Sequence, residues 1–372
     1  MFRGGGVQEH LLALQEEYTK RGHYVKILTP RPRDYKEAVP DNMLMLGGSV
    51  HTTAFGGTSW QLGASMDAGS IDDVLEREKY DLIHFHEPWL PFWGRQLLVR
   101  AHMPRVATMH ARFYDNLTAK TISTIVTPYT KPMIKYFDAF TASAENSTEY
   151  FRTLSKKPIH VVPMGVDIKK YGMRGKRKPL NPGGKTIVYI GRLNDRKGVH
   201  YLLRAFNELR QRHPDVHLIV AGSGPDENKL RDLAETLNIQ NLTFDARYIP
   251  EELKLNLLHN ADLACFPATY GESFGIVLVE ALAAEIPTVA GDNIGYSSVM
   301  TGRGNLSIVN SKDTGDFARR LGLMLFDDDI RKLWIKWAKN HVKQFDYPKI
   351  ADQYFEVYDE AIEHYKHRRS LT

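Results

Sequence analysis

Residues 186–222 read TIVYIGRLNDRKGVHYLLRAFNELRQRHPDVHLIVAG. A β-branched run, TIVYIG, precedes a segment from Val199 to Arg212 whose apolar residues recur at helical spacing, and a second apolar run, VHLIVAG, follows it. Two runs too short for helices, joined by one amphipathic segment, make a βαβ unit, and such a crossover joins parallel strands. The series continues with a helix over Glu227 to Thr236, then LTFDA, a helix from Glu251 to His259, DLACFPA, a helix after Ser273, and PTVAG. The repetition predicts an α/β, Rossmann-like domain whose parallel sheet is covered on both faces.

Toward the amino terminus the same rhythm is less regular. A helix over Gln8 to Arg21 is followed by YVKILTP, a helix around Ile71 to Lys79, DLIHFH, a helix near Leu97, then RVATMH, DAFTAS and IHVVPMG. This predicts a second sheet of the same kind. Between the halves lies DIKKYGMRGKRKPLNPGGK (residues 167–185), whose Lys, Arg, Gly and Pro content suits a surface linker, with a boundary near Arg174 to Gly184. The chain divides on this reading into residues 1–178, 179–346 and a tail, 347–372. Beyond Asp316 the pattern is helical, and Tyr347-Pro348 should interrupt it before a last helix, Ile350 to Tyr365, whose aromatic residues need a surface to cover.

The composition is that of a globular protein, since 42% of the 372 residues are hydrophobic and 25% charged. Forty-nine Lys and Arg against 44 Asp and Glu leave +5, too mild an excess for general nucleic-acid binding. Cys265 is the sole cysteine, so no intrachain disulfide forms, and its run DLACFPA predicts a buried thiol in a reducing cytoplasm. No stretch of about 18 apolar residues is present, and MFRGGGVQEH lacks the apolar core of a signal peptide. A peripheral contact at the inner face of a membrane stays compatible with that; oligomeric state is not readable.

Four motifs carry chemistry. Gly4-Gly5-Gly6 runs into VQEHLLALQEEYTKRGH, a glycine turn feeding a helix whose exposed N–H groups suit a phosphate. Gly191-Arg192 and Arg196-Lys197-Gly198 follow directly on TIVYI, so the cations emerge at a strand's carboxyl end, where open α/β sheets bind ligands. Arg192 and Lys197 would there neutralise a leaving diphosphate, or else are solvated loop cations. In ESFGIVLVEALAA (272–284), Ser273 suits an N-cap, with backbone donors near Phe274 and Gly275 aimed at an anion and Glu272 placed for sugar hydroxyls. Glu280 lies among apolar neighbours and needs a partner, which ribose hydroxyls would supply; a solvent-facing Glu is the alternative. His110 ends RVATMH, beside the loop ARFYDNLTAK, and is expected in an active-site loop.

Two further clusters are read as structural. His84 and His86 of DLIHFHEPW share a strand face that zinc would accept, with Glu87 alongside, but no further His or Cys follows in ligand spacing. Strand-end packing is preferred. Asp327-Asp328-Asp329 opens the helix IRKLWIKW and suits its positive end.

Taken together, GGGVQEH, DLIHFHEPW, ATMH, VVPMGVD, YIGRLNDRKG, VAGSGP and ESFGIVLVEALAA resemble the retaining GT-B glycosyltransferases of family four, in order and over nearly the whole chain. Within that family the motifs are most similar to those of phosphatidylinositol mannosyltransferases. The resemblance implies two Rossmann-like domains facing a cleft, with the last helix returning to the first domain. It implies Arg192 and Lys197 on the diphosphate, Glu280 on the ribose, and Glu272, with the backbone at Ser273, Phe274 and Gly275, on the donor. Gly5 and Gly6 would close over the phosphates, His110 would lie beside the sugar, Gln8 and Arg196 would face the acceptor, and Tyr248 the base. It further implies transfer of a hexose, foremost mannose from GDP-mannose, to a lipid-linked or soluble hydroxyl acceptor such as phosphatidylinositol, with no cofactor and no bound metal.

Three features depart from the family pattern. Members begin with a strand and loop before the glycine turn, whereas this sequence begins at the turn, which predicts a shortened reading frame. The segment SIDDVLEREKYD (70–81) is more acidic than basic, so anionic lipid gains little from it. Gly47-Gly48-Ser49-Val50 lacks the Asn found before Ser-Val in the mannosyltransferases. A UDP-sugar donor is the runner-up. A non-hydrolysing nucleotide-sugar epimerase and a silent scaffold are weaker readings, because GRLNDRKG and ESFGIVLVE stand together intact.

Overall fold

The computed structural model describes residues 5–32, 35–53, 59–64, 68–88, 93–110, 127–172 and 177–370. They sort into two units, Met1–Met164 with Tyr347–Thr372, and Gly165–Asp346.

In the first unit, β1 (Ile27–Pro32) pairs parallel with β2 (Met43–Thr53), which pairs antiparallel with β3 (Ser59–Ala64). A separate parallel sheet runs in chain order through β4 (Ile83–His86), β5 (Arg105–Met109), β6 (Ala139–Ala142) and β7 (His160–Val161). The expected single sheet is thus two among the described residues. The sequence reading passed over β2 and β3 because MLMLGG offers Met, Leu and Gly where β-branched residues would mark a strand.

Every residue of β5 is buried, and its alternation feeds two cores. Ala107 and Met109 face Ile71, Leu97, Leu98, Phe137 and Phe151, while Val106 faces Leu14 and Tyr18 of the first helix and Ile350, Tyr354 and Val357 of the last. That last helix spans Tyr347–Ser370. The helical run before it does break at Asp346, whose backbone is extended, and the new helix opens three residues earlier than Ile350, with Pro348 in its first turn, where a missing N–H costs no intrahelical bond. Near the helix's far end the Arg368 guanidinium reaches Asp138 Oδ1 at 2.9 Å, and that carboxylate also accepts from the Arg105 backbone at 2.9 Å.

The second unit holds β8 (Thr186–Ile190), β9 (His217–Ala221), β10 (Leu242–Asp245), β11 (Leu263–Phe266), β12 (Thr288–Gly291) and β13 (Ile308–Val309). They lie in the order β10-β9-β8-β11-β12-β13, all parallel. This is the doubly wound order, with the chain changing direction between β8 and β11, the position at which such sheets bind ligands. Asp327 caps the helix Asp328–His341 by accepting from the N–H groups of Asp329 and Ile330, as its position predicted. Cys265 is fully buried in β11.

Residues 165–172 differ from a plain linker. Val166 bridges to Asp346, Ile168–Tyr171 is a helical turn, and Tyr171 is buried within the second unit. An aromatic ring set among Lys and Gly found a core, so the contact division falls after Met164, earlier than the compositional change.

Candidate active site

In the second unit the two loops at the switch point are locked together. The loop after β8 makes a tight turn, Asp195–Lys197, capped by the buried Asn194 side chain, and the next helix starts behind Gly198 at φ +69°. A Cβ at Gly198 would lie 2.4 Å from the Pro267 carbonyl oxygen, so only glycine lets the loops after β8 and β11 approach this closely. Across that contact Lys197 Nζ lies 2.8 Å from Glu272 Oε1, and Arg196 Nη1 lies 2.5 Å from the same oxygen while also donating to the Gly271 carbonyl. The Glu272 side chain is 10% exposed, so this carboxylate is shielded and doubly compensated, yet still touches solvent. Arg196, expected to face the acceptor, is here held on the loop that carries Glu272.

Arg192 is exposed, and its side chain has no described partner; its carbonyl accepts from the buried Tyr189 hydroxyl at 2.8 Å. Tyr270 donates to Asp195 Oδ2 at 3.1 Å beside the same turn. Tyr248 is exposed in the loop after β10.

Ser273 is not the N-cap. The helix runs Ile276–Ala283 behind Gly275, whose φ of +105° and proximity to the Tyr296 ring exclude a side chain. Phe274 is buried with its ring 5.8 Å from that of Phe345, so the segment before the helix is anchored in the core and the helix's first N–H groups begin two residues later than expected. Glu280 is buried, as its neighbours predicted, but protein groups reach it: Lys254 Nζ at 2.7 Å and the Tyr171 hydroxyl at 2.9 Å. Burial and the nearby Glu280 and Glu251 carboxylates push the Tyr171 hydroxyl well above its ordinary value. No sequence spacing signals the Lys254–Glu280 pair.

In the first unit the helix Gly6–Lys20 starts at Gly5, whose carbonyl accepts from Gln8 and Glu9. The buried His10, one turn in, meets the His110 ring edge-on at 6.0 Å, which sets the glycine turn near the carboxyl end of β5. His110 is buried; its backbone N–H donates to Glu87 Oε1 at 2.5 Å, and its Nε2 lies 2.8 Å from His86 Nδ1. Burial holds the His110 imidazole down at about 4 and His10 well below its ordinary value. His84 spends its nitrogens on the Tyr358 hydroxyl (2.8 Å) and Thr108 Oγ1 (2.6 Å), so its ring serves strand-end packing. The loop ARFYDNLTAK lies outside the described residues. Neither the His86–His110 contact nor the approach of His10 carried a signal in the sequence.

The Glycosyltransferase Family 4 profile matches residues 4–170 and the Glycosyl transferases group 1 profile residues 175–341. The phosphatidyl-myo-inositol mannosyltransferase of Mycolicibacterium smegmatis is 30% identical over 360 residues, 95% of this chain and 90% of that protein. The chain is a family 4 glycosyltransferase. Sucrose-phosphate synthase from Thermosynechococcus elongatus matches this glycosyltransferase with TM-score 0.73 at 18% identity, over 96% of this chain and 94% of that one. An Anabaena protein solved with UDP and glucose matches with TM-score 0.65 at 19% identity, over 78% and 80% of the two chains. These likenesses give the enzyme the GT-B fold of two Rossmann-like units. Among its described residues no helix is long and apolar enough to cross a membrane.

Proposed function

We propose that this glycosyltransferase moves a hexose, mannose carried by GDP, onto a hydroxyl of an inositol-bearing acceptor, phosphatidylinositol foremost, with retention at the anomeric carbon. The observation that carries the reading is the meeting of Lys197 and Glu272 at the switch point of the second unit, 2.8 Å apart, with the Arg192 side chain exposed on the same loop. A cation pair beside a shielded carboxylate suits a donor that is a diphosphate at one end and a polyhydroxylated ring at the other. Arg192 and Lys197 take the diphosphate, and the helix beginning at Ile276, behind Ser273, Phe274 and Gly275, adds backbone donors. Glu272 takes sugar hydroxyls, Glu280 the ribose and Tyr248 the base. In the first unit Gly5 and Gly6 serve the phosphates, His110 the sugar, and Gln8 the acceptor.

The bond from the anomeric carbon to the diphosphate oxygen breaks, and a bond from that carbon to the acceptor oxygen forms on the same face. The acceptor's proton passes to the departing diphosphate. Fixed cations stabilise the leaving group in the way a metal ion otherwise would, so transfer proceeds without bound metal. The mannose and inositol readings are supported by the names of relatives 30% identical over most of the chain. The lipid acceptor sets the enzyme in the cytoplasm, peripheral to the inner face of the membrane.

A UDP-sugar donor is the second reading, favoured by the Anabaena neighbour solved with UDP and glucose. Calorimetry of the full chain with GDP, GDP-mannose and UDP-glucose separates the two, followed by nucleotide release in the presence of phosphatidylinositol vesicles. GDP-mannose binding, with release dependent on the vesicles, is expected. Binding of UDP-glucose alone moves the donor assignment, and binding of neither removes it.

A further inference from the structure

The proposed reaction uses His110 but leaves His86 without a task, although the two rings touch at the carboxyl end of the first unit's parallel sheet. Their planes lie within 14° of each other with centroids 5.1 Å apart, and His86 Nδ1 is 2.8 Å from His110 Nε2. Two neutral imidazoles at that distance share one proton, so one donates and the other accepts. The position of His86 is itself set. Its ring packs on His84 at 4.1 Å between centroids, and both nitrogens of His84 are held, by Tyr358 of the last helix and Thr108 of β5.

Which ring donates depends on where His110 carries its own proton. Glu87 Oε1 accepts the His110 backbone N–H at 2.5 Å. A proton on Nδ1 leaves Nε2 bare to accept from His86. His110 Nδ1 is buried and has no hydrogen-bond partner among the described residues. A buried N–H without an acceptor costs stability and is ready for an oxygen of the substrate.

We propose that His86 is a positioning residue: its Nδ1–H donates to Nε2 of His110, fixing His110 as the Nδ1–H tautomer whose proton meets a hydroxyl oxygen of the sugar or acceptor. This rests on the proposed function only in giving His110 a substrate-facing role.

The test reads the tautomer directly. In nitrogen-15 NMR spectra of the full chain at neutral pH, His110 shows a protonated Nδ1 and a bare Nε2. In His86→Leu the two forms mix, and in His86→Asn, whose amide nitrogen lies near the former Nδ1, the single form returns. Turnover, followed as GDP release from GDP-mannose with phosphatidylinositol vesicles, or UDP release where calorimetry selects UDP-glucose, falls about 10- to 100-fold in kcat for His86→Leu with KM little changed. His86→Asn recovers most of that loss, and His86→Leu adds nothing to His110→Ala. An Nε2–H tautomer in the native chain, an unaltered His110 spectrum in His86→Leu, or full turnover of His86→Leu where His110→Ala has lost it overturns the proposal. Full turnover of His110→Ala instead sinks the functional role of His110 and leaves the tautomer assignment standing.

Discussion

Lys197 Nζ and Glu272 Oε1 lie 2.8 Å apart although 75 residues separate them, because Gly198 brings the turn after β8 against Pro267 of the loop after β11. Both side chains are largely shielded, at 16% and 10% exposure, so a test of their chemistry needs a substitution that keeps their shape.

Glu272→Gln keeps the shape of the side chain but removes the charge that holds Arg196 and Lys197. We expect kcat to fall by about 100-fold or more, the size typical of one lost electrostatic contact in an active site. The melting temperature should change less, since the amide keeps the side chain's shape and its oxygen still accepts from Lys197. Steady-state kinetics beside thermal unfolding checks this, and parallel losses of folding and activity would assign Glu272 to structure.

Glu280 is buried against Lys254, whose side chain is 13% exposed, and here an apolar replacement is informative. Removing one partner of a buried pair costs about 3–5 kcal/mol because the other charge is stranded. Glu280→Leu is expected to lower stability toward that range and nucleotide affinity as well, whereas Lys254→Met should lower stability with nucleotide affinity retained. Urea unfolding and GDP titration of both variants separate the two effects.

The last helix completes the first unit's core through Tyr354, which is fully buried together with Ile350, Ala351 and Ala361. Tyr354→Ala removes a large buried ring and should cost about 3–5 kcal/mol. Hydrogen exchange is the informative measurement: protection should fall across β5 and β6 while β8 and β9 keep theirs.

Acid should weaken the first unit. His110 is depressed from the ordinary 6.5 to about 4, and His10 is depressed as well, both chiefly by burial. Between those values the unfolded chain binds protons that the folded chain refuses, so the contribution is full above about pH 6.5 and is lost as pH falls toward 4. Each such histidine steepens the loss by up to about 1.4 kcal/mol per pH unit. Urea midpoints measured from pH 7.5 to 4.5 should decline below 6.5, and His110→Asn should decline less steeply.

Much of the second unit was readable from local pattern. The helices Val199–Arg212 and Glu227–Thr236 begin and end where their apolar periodicity places them. Gly198 opens the first in the left-handed region, and His213-Pro214 closes it. The missed features were those whose signal is weak or ambiguous in one dimension. Ser273 is a better N-cap by residue type than Gly275, yet the approach of Tyr296 selects the glycine. The break before the last helix lies where Tyr347-Pro348 marks it, but the helix starts at Tyr347 rather than Ile350, because a proline suits the first turn, which hydropathy does not record.

By itself the sequence determined five of the six described strands of the second unit, β13 being missed, with most of its helices, their parallel arrangement, and the appearance of cations and a carboxylate at strand ends, because these follow from periodicity and from the one direction a βαβ crossover allows. Only the tertiary structure decided that Lys197 and Arg196 share one oxygen of Glu272, that Lys254 and Tyr171 reach Glu280, and that His86 touches His110. Those contacts join residues far apart in the chain. Their geometry depends on how closely neighbouring backbones approach, which no local propensity encodes.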